Sequence, residues 1–171
     1  MEDLREHLVI RQATREDAGL IVEMVQCLAE AEKRSEDMTG TEEGVRTWMF
    51  DRGMAHAELA WWDGDLAGML LYYPMYNSFS AEGTLHVEDI IVKPGYRGRG
   101  IGRILMEKAA SLAVQQGYPT VDWACLSWNE DSLNFYKSLG GRHNLTAALL
   151  DFSSETTREL AEKYERARPE K

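Results

Sequence analysis

Val87-Glu88-Asp89-Ile90-Ile91-Val92-Lys93-Pro94-Gly95-Tyr96-Arg97-Gly98-Arg99-Gly100-Ile101-Gly102-Arg103 is the stretch whose reading decides the fold. It opens as an apolar, strand-like run interrupted by two adjacent carboxylates. It closes on an amphipathic run, Ile101 to about Gln116, in which Ile101, Leu105, Ala109, Leu112 and Ala113 recur at helical spacing. Between the two lies a glycine-rich turn that carries arginines. Glycine accepts unusual dihedrals and close approach by other groups. The first turn of a helix leaves several N–H groups without intrahelical partners, and the helix dipole favours an anion there. Strand, glycine turn and helix together predict a metal-free phosphate cradle built from Arg97, Gly98, Arg99, Gly100, Ile101, Gly102 and Arg103.

The glycine spacing narrows the ligand. A nucleotide P-loop needs Lys-Ser or Lys-Thr after its glycines, and neither follows here. The dinucleotide fingerprint is G-x-G-x-x-G in a first strand–helix unit; here Gly98-x-Gly100-x-Gly102 stands half-way down the chain. A helix N-terminus that is simply generous in glycine stays open as an alternative.

Outward from this stretch, the chain reads as a mixed α/β sheet. Leu8–Gln12 alternates as a first strand, and Thr14 with Asp17 three residues on opens a helix that reaches about Glu32. A shorter helix is expected from Thr41 to Phe50. Ala55–Trp62 and Leu66–Tyr73, joined by Asp63-Gly64-Asp65, read as a hairpin. Thr84–Val92 and Thr120–Ser127 are further strands, and Asp131–Leu139 is a short helix ended by Gly140-Gly141. Leu145–Phe152 reads as a last strand, and Glu155 to about Arg166 as a C-terminal helix. One domain over 1–171 is expected, with 1–7 a tail and 153–171 the C-terminal helix and its tail.

Composition excludes several classes. The net charge of −10 argues against nucleic acid and for cationic partners. No apolar run approaches membrane-spanning length, and the acidic start Met1-Glu2-Asp3 does not read as a secretory signal, so a cytoplasmic protein is expected. Cys27 and Cys125 sit in apolar runs without a basic neighbour, which argues against a nucleophilic thiol. His7, His56, His86 and His143 show no ligand spacing, so no metal is expected. Charge is polarised locally: Lys93–Lys108 holds five basic residues against one acid, whereas Pro74–Val92 has no Lys or Arg but includes Glu82, Glu88 and Asp89. An anion-binding turn beside an anionic strand suits an enzyme that joins a polyanionic cofactor to a cationic acceptor.

Arg97-x-x-Gly100-x-Gly102 after a strand resembles the acyl-CoA signature of the GNAT N-acetyltransferases. Trp128-Asn129-Glu130-Asp131-Ser132-Leu133-Asn134-Phe135-Tyr136 resembles the second half of their core. Glu88-Asp89-Ile90-Ile91-Val92 and Leu28-Ala29-x-x-Glu32 are similar, within that superfamily, to the diamine (spermidine/spermine) and thialysine acetyltransferase group. The resemblance implies a mostly antiparallel twisted sheet, splayed where acetyl-CoA binds and flanked by helices. It implies cofactor contacts from the backbone of Ile90, Ile91 and Val92, the turn residues 97–103, Asn129, Ser132 and Tyr136. Glu88 would bind or deprotonate the amine, Glu32, Ser78 and Asp89 would help to hold it, and Tyr136 would protonate the departing sulfur. A homodimer is also implied.

The chemistry agrees with those roles. A primary alkylamine has a pKa of about 10.4 and must lose a proton before it attacks. Glu88, on a strand beside the apolar Val87 and Ile90, is expected to be buried and so raised in pKa. Backbone N–H groups around Ile90–Val92 would orient the pantetheine and polarise the thioester, and the β-bulge that the resemblance implies would free donors for this. The acceptor is expected to be short: His143–Ala148 lacks the acidic, Trp-bearing segment of polyamine enzymes, and Ser78 stands where they tend to place Asp. Within the class that the resemblance implies, a diamine, polyamine or lysine-like amino acid, this favours the shorter amines and amino acids. A protein N-terminus, a lysine side chain, an aminated antibiotic, or a catalytically silent acyl-CoA-binding module are the alternatives.

Overall fold

The computed structural model describes residues 4–142 and 152–167. They fall into two compact units, Met1–Glu130 and Asp131–Lys171. The first holds a five-stranded sheet: β1 (Leu8–Gln12), β2 (His56–Trp62), β3 (Asp65–Asn77), β4 (Glu82–Val92) and β5 (Val121–Trp123). The strands lie in chain order; β1 to β4 pair antiparallel, and β5 runs parallel to β4.

Local chemistry explains the connections. Asp63 and Gly64 both take positive φ, 50° and 90°, the geometry of a two-residue hairpin turn between twisted strands. At the β3–β4 hairpin tip, the Asn77 side-chain oxygen accepts hydrogen bonds from the amides of Phe79 and Ser80. Before α2 (Ala18–Ala31), the Thr14 amide donates to the Asp17 carboxylate at 2.8 Å, and Arg11 grips the same carboxylate with two bonds of 2.7 and 2.8 Å. That two-pronged grip holds the Asp17 carboxyl well below the usual range.

The sheet is covered on both faces. The helix after the glycine turn, α4 (Ile101–Gln116), runs between the residues read from the sequence; the elements before it are α1 (Leu4–His7), α2 and α3 (Glu42–Val45). Ile101, Leu105, Ala109 and Ala113 of α4 pack against Leu70, Tyr72, Leu85 and Val87. Ile21 and Met24 of α2, with Met49, pack on the other face against Leu59, Leu66, Met69 and Ile91. Gly68 keeps the sheet close: a Cβ there would stand 2.9 Å from the Ile91 carbonyl oxygen and 3.3 Å from a Leu105 methyl.

Differences from the expected elements are local. The helix expected over Thr41–Phe50 is one short α-helical segment, α3, continued by a π-helical segment Arg46–Asp51, in which Met49 is buried and Trp48 stands exposed beside Arg52. Residues 4–7, expected as part of a tail, form the helical turn α1, and the His7 ring meets Asp63 at 2.7 Å and stacks on Trp62. The strand expected over Thr120–Ser127 stops at Trp123. Glu58, at a β2 position 3 % exposed, lies 3.6 Å from the Lys108 ammonium and accepts from the Tyr72 hydroxyl. Burial and this carboxylate push the Tyr72 hydroxyl up to about 12.

Beginning at the last residue of the first unit, α5 (Glu130–Ser138) leads into the second, which also holds α6 (Ser154–Ala167). The strand expected over 145–152 and the segment His143–Ala148 lie, apart from Phe152, outside the described residues. Among the described residues no helix is long and apolar enough to cross a membrane.

Candidate active site

The two carboxylates in the opening stretch share one face of the sheet, and a register shift puts them there. Tyr72 pairs with Val87, but the next residue back along β3, Leu71, pairs with Asp89, so Glu88 is an extra residue in β4. Val87 and Ile90 both pack in the α4-side core. In a regular strand one residue separates two on the same face; here two do, and Glu88 and Asp89 are both turned to the α2 side. Glu32, immediately after α2, completes the cluster, and its charge acts on Asp89.

Burial falls on the other member of the pair from the one expected. The Glu88 side chain is 51 % exposed, 3.8 Å from His86 Nε2, and accepts a hydrogen bond from the Tyr73 hydroxyl at 3.1 Å. Asp89 is half-buried, and desolvation first, then the charges of Glu88 and Glu32, push its carboxyl up to about 6. The bulge turns Asp89 toward the apolar α2 side and lets Glu88 lean outward. Around Glu88 stand groups that sequence reasoning passed over. His86 Nδ1 lies 2.7 Å from Asp122 of β5, and the Tyr73 and His86 rings are 5.0 Å apart. Burial, then Glu88, raise the Tyr73 hydroxyl.

Beyond the bulge the outer edge of β4 is open. The parallel ladder with β5 covers only Leu85–Val87 against Val121–Trp123. The Lys93 amide donates to Ala67 of the β3 side. The strand's period of two then turns the N–H groups of Ile90 and Val92 to the other edge. Arg97 agrees with this direction, because its Nε donates to the outward Val92 carbonyl at 3.0 Å. The Ile91 amide, two residues before that of Lys93, points to β3 like it, so of the expected trio only Ile90 and Val92 offer edge amides.

The turn that follows has the expected geometry. Gly98 and Gly100 take φ of 76° and 84°, left-handed backbone that favours glycine, and Gly100 is the N-cap residue of α4 without a side-chain capping bond. The amides of Ile101, Gly102 and Arg103 thus head the helix at its positive end. Arg97 is committed to the Val92 carbonyl, while the Arg99 guanidinium lies 5.2 Å from the Trp62 ring centre and 5.5 Å from that of Tyr96. Arg103 is exposed on the first turn of α4.

Asn129 follows β5 and is half-buried, its amide donating to the Leu126 carbonyl. Within the second unit, Ser132 and Tyr136 are half-buried and one turn apart on α5, whose end is closed by the Gly141 amide on the Tyr136 carbonyl. Ser78 does not join the carboxylates. It sits in the exposed β3–β4 tip, and the six residue steps from Glu82 to Glu88 span about 20 Å. The Cys125 thiol is pushed up by burial and by Glu32, the opposite of an activated nucleophile. Among the described residues no group of three or more His, Cys, Asp or Glu is placed to hold a metal ion.

Comparison with known proteins agrees with this geometry. Residues 21–140 match the Acetyltransferase (GNAT) family. The chain is 36 % identical to the thialysine N-epsilon-acetyltransferase of Sus scrofa over 169 residues, which cover 91 % of this chain and 98 % of that one. It is 36 % identical to the Mus musculus enzyme of the same name over 165 residues, 89 % and 96 % of the two chains. Among solved structures, an integron cassette protein from the mobile metagenome of V. cholerae superposes with a TM-score of 0.73 at 21 % identity, covering 91 % of this chain and 98 % of that one, and shares its fold. A glycine turn that bares helix amides after a splayed, carboxylate-bearing strand is thus found together with a family match over most of the sequence, and the chain belongs to the GNAT acetyltransferases.

Proposed function

We propose that this chain transfers the acetyl group of acetyl-CoA directly to a primary amine of a small cationic acceptor, a lysine-like amino acid such as thialysine or a short diamine. One observation carries the acceptor: the bulge at Glu88 gathers Glu88, Asp89 and Glu32 at the sheet's α2 face, next to an open strand edge that runs into the phosphate-type turn. In this reading the amides of Ile101, Gly102 and Arg103 hold the diphosphate, and the Ile90 and Val92 amides align the pantetheine arm. The relatives named for thialysine support the size of the acceptor.

At pH 7.4 only about one alkylamine in a thousand is neutral. Removing the proton inside the complex therefore offsets about 4 kcal/mol of the barrier. Glu88, whose side chain is half exposed and within reach of the open strand edge, accepts that proton; Asp89 and Glu32 hold the acceptor's charge. Tyr136 gives its hydroxyl proton to the departing sulfur, the role the family resemblance assigns it. Holding thioester and amine in line supplies much of the remaining acceleration.

The test is thiol release from acetyl-CoA with a panel of thialysine, lysine, ornithine, putrescine, spermidine and a peptide with a free N-terminus. Short amines are expected to be turned over best. Preference for the peptide would refute the small-amine acceptor. Tight binding of acetyl-CoA with no turnover of any amine would refute catalysis and favour a coenzyme-sensing module.

A further inference from the structure

His86 has no part in the scheme above, yet it stands between two carboxylates. Its Nδ1 lies 2.7 Å from Asp122 Oδ1, and its Nε2 is directed to Glu88 at 3.8 Å. The ring is 17 % exposed and is held from a third side by Tyr73, 5.0 Å away centre to centre. The charged and titratable groups facing it are Asp122 from β5, Glu88 from β4 and Tyr73 from β3; Asp89 and Glu32 lie beyond Glu88. A donor at Nδ1 is fixed by the Asp122 carboxylate, which leaves Nε2 as the basic atom toward Glu88.

We propose that His86, held by Asp122, is a positioning residue that relays the substrate's proton from Glu88 to solvent. The inference rests on the acetyl-transfer reading, and the stoichiometry of that reaction requires an exit. An ammonium and a thioester go to an amide, a thiol and one proton. The C–S bond breaks and a C–N bond forms. Of the two protons the nitrogen sheds, one is balanced by the proton that Tyr136 gives to sulfur and regains, and the other must leave. Glu88 receives it first. An imidazole is ordinarily more basic than a carboxylate by about two pH units. Passing the proton on to His86 therefore makes the deprotonation of the amine up to about a hundredfold less uphill, while the Asp122 carboxylate stabilises the imidazolium that forms. The same contact keeps the ring oriented when Glu88 turns toward the acceptor.

The experiment compares the unaltered enzyme with His86→Gln and Asp122→Asn, using thiol release with the best acceptor of the panel, and checks that each variant is folded by its thermal transition. His86→Gln is expected to lose kcat by about ten- to a hundredfold, with KM for acetyl-CoA unchanged, and to recover turnover in a saturable way on adding free imidazole. Asp122→Asn, which keeps the ring but removes its anchor, is expected to lose less. Wild-type kcat in His86→Gln, or a loss that imidazole does not relieve in a folded variant, would overturn the relay while leaving acetyl transfer intact. If the unaltered enzyme itself releases no thiol with any amine, the acetyl-transfer reading fails, and the relay fails with it.

Discussion

Replacing Asp89 with Asn should make the protein more stable and less able to bind its acceptor. The Asp89 carboxyl is raised from the ordinary 3.8 to about 6 by burial and by the charges of Glu88 and Glu32. An acid whose folded pKa is raised favours folding fully below its unfolded value, and that contribution is lost as pH rises through the folded value. Between pH 4 and pH 6 the folded state gives up about 3 kcal/mol on this account. Water around the half-buried side chain reduces this, so about 2 kcal/mol is the working figure. Asn keeps the shape and removes the charge. At pH 7 the Asn variant should therefore unfold about 2 kcal/mol later, or about 4–8 °C higher for a chain of this size, and at pH 4 the two proteins should coincide. Urea titrations followed by tryptophan fluorescence at both pH values measure this. A variant no more stable than the parent at pH 7, or equally stabilised at pH 4, would refute the assignment of the strain to this carboxylate. The same substitution should raise the KM for the amine by at least about tenfold, since it removes a desolvated charge partner.

Gly68→Ala should cost about 1–3 kcal/mol in urea unfolding, because the new Cβ meets the Ile91 carbonyl oxygen at 2.9 Å, backbone that cannot turn aside. Asp17→Asn should cost about 1–2 kcal/mol at pH 7 by weakening the part-buried, two-pronged pair with Arg11, whose side chain is 42 % exposed. Because the folded Asp17 carboxyl titrates below its ordinary value, that contribution is present above pH 4 and fades as acid is added, so parent and variant should converge in acid titrations. Tyr136→Phe should lower kcat by about a hundredfold with the amine KM unchanged, measured by thiol release; an unchanged rate would remove Tyr136 from the proton path.

Features set by near neighbours in sequence could be read from it. Strand, glycine turn and helix from Val87 to Gln116, the Asp63-Gly64 hairpin and the Thr14–Asp17 helix start all depend on local dihedrals and periodicity, and all three are present. What could not be read depends on register. That Glu88 is the bulged residue follows from which β3 residues it fails to pair with. The swap of burial between Glu88 and Asp89 follows in turn. The His86–Asp122 contact joins residues 36 apart through a parallel pairing that no local signal reports. Likeness of sequence puts Ser78 among the acceptor-holding residues, but the long β3–β4 hairpin carries it to the tip. A hint was available for the bulge: two adjacent acids inside an apolar strand cannot both alternate outward while Val87 and Ile90 stay in the core.

The extra residue in β4 also makes that strand adjustable in length at one position. Elsewhere in a sheet, losing one residue turns every later side chain inside out. Between Val87 and Ile90 it does the reverse: with Glu88 gone, Asp89 alone would separate them and the ordinary pleat would be restored, with both core contacts kept. A single codon can therefore add or remove one acidic group beside the open strand edge while the sheet beneath stays as it was.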